Sequence, residues 1–175
     1  MAINVDNIEL GEGVLQVQMK DPSQGELTDV GATLGAELSY SQEIRDVECG
    51  QKMSPILSFV IGEEGKFKIK MLESTMYNLA LALGLAPDDA PGSASGYTYI
   101  NFGGSTTNVY SELTYTVKQQ ANQAKNYIFT LYKARVTGGL VLPMSKEEER
   151  AYEVEFTLYP DPDQNDRLGQ IKKEV

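Results

Sequence analysis

The sequence contains no histidine and no tryptophan, and one cysteine, Cys49, in 175 residues. Without histidine the commonest general base and the commonest metal ligand are gone, together with every Ser-His-Asp or Cys-His arrangement. Cys49 has no imidazole to activate it and reads as a small core thiol; a lone cysteine also excludes an internal disulfide. No segment approaches the ~20 apolar residues that a membrane helix needs. Residues Met1 to Asp6 lack the basic start and apolar run of a secretory signal. These absences describe a soluble protein made in a reducing cytoplasm. No internal repeat, linker or low-complexity stretch divides the chain. It reads as one domain that removes roughly 70% of its unfolded surface from water.

What is present is tyrosine and acid. Ten tyrosines outnumber five phenylalanines, and tyrosine suits half-wet surfaces and interfaces because its body is apolar and its tip polar. The net charge is −10. Residues 1–60 hold 10 acids and 3 bases, whereas residues 101–150 hold 4 acids and 6 bases. An acidic body argues against tight nucleic-acid binding, which needs Lys and Arg to displace counterions. It does not argue against DNA passing without sticking.

The patterning is that of strands. Leu15, Val17 and Met19 share one face of Val14 to Lys20, and Asp21-Pro22-Ser23-Gln24-Gly25 is a turn cluster. Leu38, Tyr40 and Ile44 alternate with Glu37, Ser39, Ser41 and Glu43, in a strand running on through Val47 and Cys49. Residues Gly50 to Gly65 read as a long interruption carrying the apolar run Ile56-Leu57-Ser58-Phe59-Val60-Ile61. Such a run either folds back on its own core or is covered by a partner. Lys66-Phe67-Lys68-Ile69-Lys70-Met71 has the period of a strand with one wet face. Ser74 offers an N-cap; Met76, Leu79, Ala80 and Leu83 follow at helical spacing, and Gly84 supplies the left-handed stop. Tyr97 to Phe102, Val109 to Val117, Tyr127 to Val136 and Tyr152 to Leu158 complete about seven strands. Of these Tyr127 to Val136 is apolar on both faces and is expected to be the most central. Residues 1–12 are a polar arm or an edge strand, and residues 164–175 a polar tail. The fold class is mostly β: an antiparallel sandwich or partial barrel with one flanking helix.

No motif carries chemistry. Asp161-x-Asp163-x-Asn165 starts like a calcium loop but has Asp166 and Lys172 where Gly and Glu are required. Asp88-Asp89 is a solvated loop pair, and Gly103-Gly104 and Gly138-Gly139 end strands without opening helices. Ser145-x-x-Glu148 fits a capping box at a wet hairpin tip. No catalysis, cofactor or metal is expected.

The order of the pieces resembles the tail tube (major tail) proteins of tailed bacteriophages. The resemblance is carried by Asp29-Val30-Gly31-Ala32-Thr33 leading into Leu38-Ser39-Tyr40, the long Asp46–Gly65 loop, the Phe67–Glu73 strand, Ser74 to Gly84, and the Tyr152–Leu158 strand with Tyr159-Pro160-Asp161. It covers residues 29–163. It implies a two-sheet sandwich with a helix at its side, six copies to a ring, and rings stacked into a hollow tube in the virion tail, assembled in the host cytoplasm. The bore would hold the tape-measure protein and then pass DNA; sheath, baseplate and terminator proteins are the further partners implied, and no membrane. The loop 46–65 would reach the next ring through Ile56, Leu57, Phe59, Val60 and Ile61. Glu37, Glu43, Lys66, Lys68 and Lys70 are the candidates to line the bore, where Lys66, Lys68 and Lys70 fit only if neighbouring glutamates pair with them. The same fold in secretion-system tube proteins leaves a ring of that kind as an alternative. Another alternative is a carbohydrate-binding sandwich using Tyr97, Tyr99 and Tyr110 as a stacking platform.

Overall fold

Alternating apolar residues supply the dry faces of most strands, and among the described turns Gly31, Gly96 and Asn165 take positive φ. The computed structural model describes residues 13–21, 23–47, 56–85, 92–104, 108–118, 125–142 and 151–174. The strands are β1 (Gly13–Asp21), β2 (Ser23–Asp29), β3 (Thr33–Val47), β4 (Leu57–Met71), β5 (Gly92–Ala94), β6 (Tyr97–Tyr99), β7 (Tyr110–Lys118), β8 (Asn126–Val136), β9 (Tyr152–Leu158) and β10 (Gly169–Lys173), with helix α1 (Met76–Ala82) between β4 and β5. The arm at 1–12, Cys49, Asp88-Asp89 and the Ser145 capping box lie outside the described residues.

The main sheet runs β2-β1-β7-β8-β9-β4-β3, with β10 also on β8, and every pairing is antiparallel. β8 is the pivot. One edge pairs with β7; the other is shared, Tyr127–Leu131 pairing with β10 and Ala134–Val136 with β9. The sheet therefore folds at this point into two facing layers, and it does not close. Leu15, Val17, Leu113, Tyr115 and Leu131 from one layer meet Phe67, Ile69, Val154, Phe156 and Leu158 from the other in one core. The Phe67 and Tyr115 rings touch across it, their centres 5.7 Å apart. At the far side the layers are joined where Thr33 Oγ1 donates to the Gly13 carbonyl at 3.0 Å. The result is a mostly antiparallel β-sandwich, or partial barrel, with one α-helix among the described residues.

The helix starts one residue later than expected. Thr75, not Ser74, is the N-cap, its hydroxyl accepting from Asn78 N at 3.1 Å. Gly84 ends it at φ +65, with Leu85 N donating to Ala80 O and Gly84 N to Leu81 O, the paired bonds of a Schellman cap. Asn78, fully buried, donates to the carbonyls of Val30 (2.7 Å) and Glu73 (2.9 Å) and so ties the helix to the β2–β3 turn. The Tyr152 hydroxyl donates to the same Glu73 carbonyl at 2.9 Å. Burial pushes that hydroxyl up to about 12, and the Glu73 charge adds to the effect.

Three further readings of the sequence change. The stretch from 46 to 65 is not one loop: Val47 ends β3, and β4 begins at Leu57. The tail at 164–175 contains β10, which fills the half of the β8 edge that β9 leaves open. The strand expected over Tyr97 to Phe102 is only Tyr97–Tyr99 and pairs with β5 in a separate two-stranded ribbon.

Candidate functional site

β3 and β4 form a hairpin of two 15-residue strands. Only the part of β4 from Gly65 to Met71 also pairs with β9. From Leu57 to Glu64 its described partner is β3 alone. β3 is an end strand of the sheet, so its outer edge has no described partner along its whole length. Residues 41–47 of β3 and 57–64 of β4 therefore project from the body as a two-stranded arm. A long unpaired edge of this kind is a template for pairing with another chain.

The two faces of the arm follow from the register. Ala36, Leu38, Tyr40 and Gln42 stand opposite Ile69, Phe67, Gly65 and Glu63, on the face that continues the core. Glu37, Ser39, Ser41 and Glu43 stand opposite Lys68, Lys66, Glu64 and Gly62, on the polar face. Between Glu43 and Ile44 the register slips, and Ile61 becomes the extra residue of a bulge. Beyond the bulge Ile44 faces Val60 on the core side, whereas Arg45 faces Phe59 and Val47 faces Leu57 on the other. The base of the arm is amphipathic, whereas its outer end carries exposed apolar residues on both faces, Ile44 and Val60 on one and Phe59, Val47 and Leu57 on the other, beside Arg45 and the hydrogen-bonded Ser58–Asp46 pair.

These side chains do not fold back on the body. Ile56, Leu57, Phe59, Val60 and Ile61 are each more than half exposed, as is Ile44. The expectation that the apolar run is covered by its own core fails because the run is a strand locked at its length by β3. Covering side chains of this size is worth about 1.5–3 kcal/mol each when complete. Half-exposed as they are, they leave several kcal/mol per arm available to a partner.

The polar face is a charge lattice. Lys68 Nζ lies 3.2 Å from the Glu155 carboxylate on β9, with Glu37 opposite it on β3. Lys70 is in register with Glu153. Lys66 Nζ lies 2.7 Å from Glu64, and that bond holds the ammonium above the usual lysine range. Glu43 stands away from the three lysines, opposite Gly62. On the core-side face Tyr40 OH donates to Glu63 at 3.0 Å, and Gln42 Nε2 donates to both Tyr40 OH and Glu63. These Tyr40–Gln42–Glu63 bonds were not foreseen; their signal is the alternation of Tyr40 and Gln42 opposite Glu63.

Tyr97, Tyr99 and Tyr110 are not brought together as an open platform. Tyr97 and Tyr99 are exposed on β6, and the Tyr99 ring covers Gly92, where a Cβ would run into it. Tyr110 is half-buried at the start of β7, met edge-on by Tyr159 and covered by the Lys133 ammonium 4.5 Å from its ring centre. Among the described residues no group of three or more acidic or cysteine side chains is placed to hold a metal ion, and no helix is long and apolar enough to cross a membrane.

No protein-family profile matches the chain, and no curated protein matches it. Among solved structures it is similar to a chain of the anti-feeding prophage baseplate, determined by cryo-electron microscopy with 6-fold symmetrisation. The TM-score is 0.52 at 8% identity, over 100% of this chain and 95% of that one. At that identity the likeness is one of fold.

Proposed function

We propose that this chain is a structural subunit of a phage tail or tail-like tube, without catalysis, that assembles into six-membered rings which stack. The observation that carries this reading is the β3–β4 arm, with its unpaired edge and its apolar outer end. Large apolar side chains exposed on both faces of that end leave water only when a partner covers each face, and copies of the same chain offer matching edges that remove one another. A fold shared with a chain from a six-fold symmetrised baseplate supports the ring symmetry. In this reading Ile56, Leu57, Phe59, Val60 and Ile61 contact the next ring. Glu37, Glu43, Lys66, Lys68 and Lys70 face the bore, which holds the tape-measure protein and then passes DNA. Of the lysines there, Lys66 and Lys68 are paired with Glu64 and Glu155, and Lys70 stands in register with Glu153, so phosphates meet lysines that already have acids beside them. Sheath, terminator and baseplate proteins would meet the ends and outside of the tube.

The test is light scattering and negative-stain imaging of the purified protein over a rising concentration series, beside the double variant Ile44→Glu, Val60→Glu. Rings and tubes are expected of the first and a folded, non-stacking species of the second. A wild-type chain that stays monomeric at millimolar concentration ends the reading, and tubes from the double variant remove the arm from it. One specific observation favours a second reading. The solved relative belongs to a baseplate, so the chain would form a single ring at the tube's end, seen as isolated annuli that never lengthen. A secretion-system ring would look the same in that image.

A further inference from the structure

The sandwich is open along one side, between β3 of one layer and β10 beside the other. Leu38 and Tyr40 on β3 and Ile171 on β10 line a groove of about 390 Å3 there, with Leu131, Leu158 and Leu168 also in its walls. A hollow of about 410 Å3 shares Leu38 with it and continues past Ala36, Tyr127 and Phe129. Leu38, Tyr40 and Ile171 are exposed on the rim, whereas Leu131 and Leu158 are buried beneath. Among the described residues β10 pairs with β8 alone, so its outer edge is open beside the groove. β10 carries Lys172 and Lys173 and no acid; Glu174, which follows it, accepts from Asn126 N at 2.7 Å. An apolar groove with an open strand edge beside it suits an extended strand, whose backbone bonds to the edge and whose alternate side chains enter the groove.

The end of the arm carries the complementary features. Among the described residues the stretch Leu57–Glu64 of β4 pairs with β3 alone, so its other edge is open as well. Leu57 and Phe59 on it are each more than half exposed. Residues 41–47 and 57–64 hold the acids Glu43, Asp46, Glu63 and Glu64 and one base, Arg45, so the arm is acidic where β10 is basic. The arm cannot fill the groove of its own chain. It leaves from the rim at Tyr40, and Phe59 stands opposite Arg45, roughly 17 Å farther along a ladder held straight by β3.

We propose that the groove between β3 and β10 receives the arm of a second copy of this chain. The open edge of β4 in the arm lies along β10, with Leu57 and Phe59 in the groove and the acids of the arm toward Lys172 and Lys173. This rests on the self-assembly proposed above and names the surface that receives the arm. Arm and groove are different patches of one chain, so the contact is head-to-tail and leaves each copy with one arm and one groove for further copies. Where rings stack, the receiving copy belongs to the next ring.

The experiment mixes two full-length variants at millimolar concentration, both in a Cys49→Ser background: Phe59→Cys, carrying a mass tag, and Ile171→Cys. After oxidation a disulfide dimer of one tagged and one untagged chain is expected on a non-reducing gel, while Phe59→Cys mixed with Ser93→Cys on β5 gives none. Absence of the mixed dimer overturns the proposal, as does a dimer of Phe59→Cys alone in equal yield, which would mean that arm meets arm. A second readout is Ile171→Glu, at an exposed position, which is expected to raise the concentration needed for assembly by on the order of tenfold with Tm unchanged; unaltered assembly also overturns the proposal. Rings and tubes that form without the mixed dimer sink this inference alone. A mixed dimer from chains that never form rings or tubes sinks the tube reading alone, and monomers throughout sink both.

Discussion

Strand β4 behaves as two different strands. From Gly65 to Met71 its residues alternate between buried and not, with β9 on one edge, β3 on the other and the core beneath. From Leu57 to Glu64 no residue is buried, although Leu57, Phe59, Val60 and Ile61 are as apolar as Phe67 and Ile69. The difference lies in what surrounds the strand and not in its composition. Where a second layer covers it, apolar side chains hold the fold together; where none does, they are free for a partner. The body and the arm should therefore answer differently to substitution.

The largest effect on folding is expected in the body. Phe156→Ala empties a fully buried position facing Phe67 and should lower stability by about 3–5 kcal/mol in a denaturant titration. Asn78→Ala removes the side-chain donor from the buried Val30 carbonyl and leaves the Glu73 carbonyl to Tyr152 alone, and should lower it by about 2–3 kcal/mol by the same measurement.

Tyr152→Phe should come next, at about 1 kcal/mol near neutral pH. It also has a pH signature. The folded-state pKa of the Tyr152 hydroxyl stands at about 12, above the usual value of 10.0, so the folded state favours the protonated form. Its contribution is complete below pH 10 and is lost as pH rises toward 12, because only the unfolded chain then ionises readily. The stability difference between wild type and variant should therefore fall over that window by on the order of 2 kcal/mol, so that it changes sign and the variant becomes the more stable of the two near pH 12. A constant difference from pH 9 to 12 would show that the hydroxyl is not held in this way.

The smallest effect on folding belongs to the arm. Ile44→Glu with Val60→Glu should change monomer stability by no more than about 0.5 kcal/mol while abolishing stacking. A loss above about 2 kcal/mol would mean that these side chains act in the chain's own core, and the contrast between the halves of β4 would collapse.

Much of the body was readable from residue order. Phe67, Ile69 and Met71 against Lys66, Lys68 and Lys70 announced a one-sided strand, and Gly84 stops the helix as its lack of a Cβ allows. The arm was less readable. Its outer end carries apolar residues on both faces and is interrupted by the bulge at Ile61, so the run 56–61 shows no period of two and resembles an apolar loop. The choice of Thr75 over Ser74 as cap depended on which hydroxyl could reach Asn78 N, which adjacent hydroxyls do not reveal.

By itself the sequence determined the strand-rich class, the wet and dry faces at the base of the arm, the helix with its glycine stop, and the lack of histidine chemistry, because these follow from side-chain period and residue type. Only the tertiary structure decided that β8 shares one edge between β9 and β10, that Lys68 has Glu155 beside it, that the arm stands clear of the body, and that a groove opens between β3 and β10. Each of these depends on which strands lie side by side, and that depends on contacts between residues far apart in the chain.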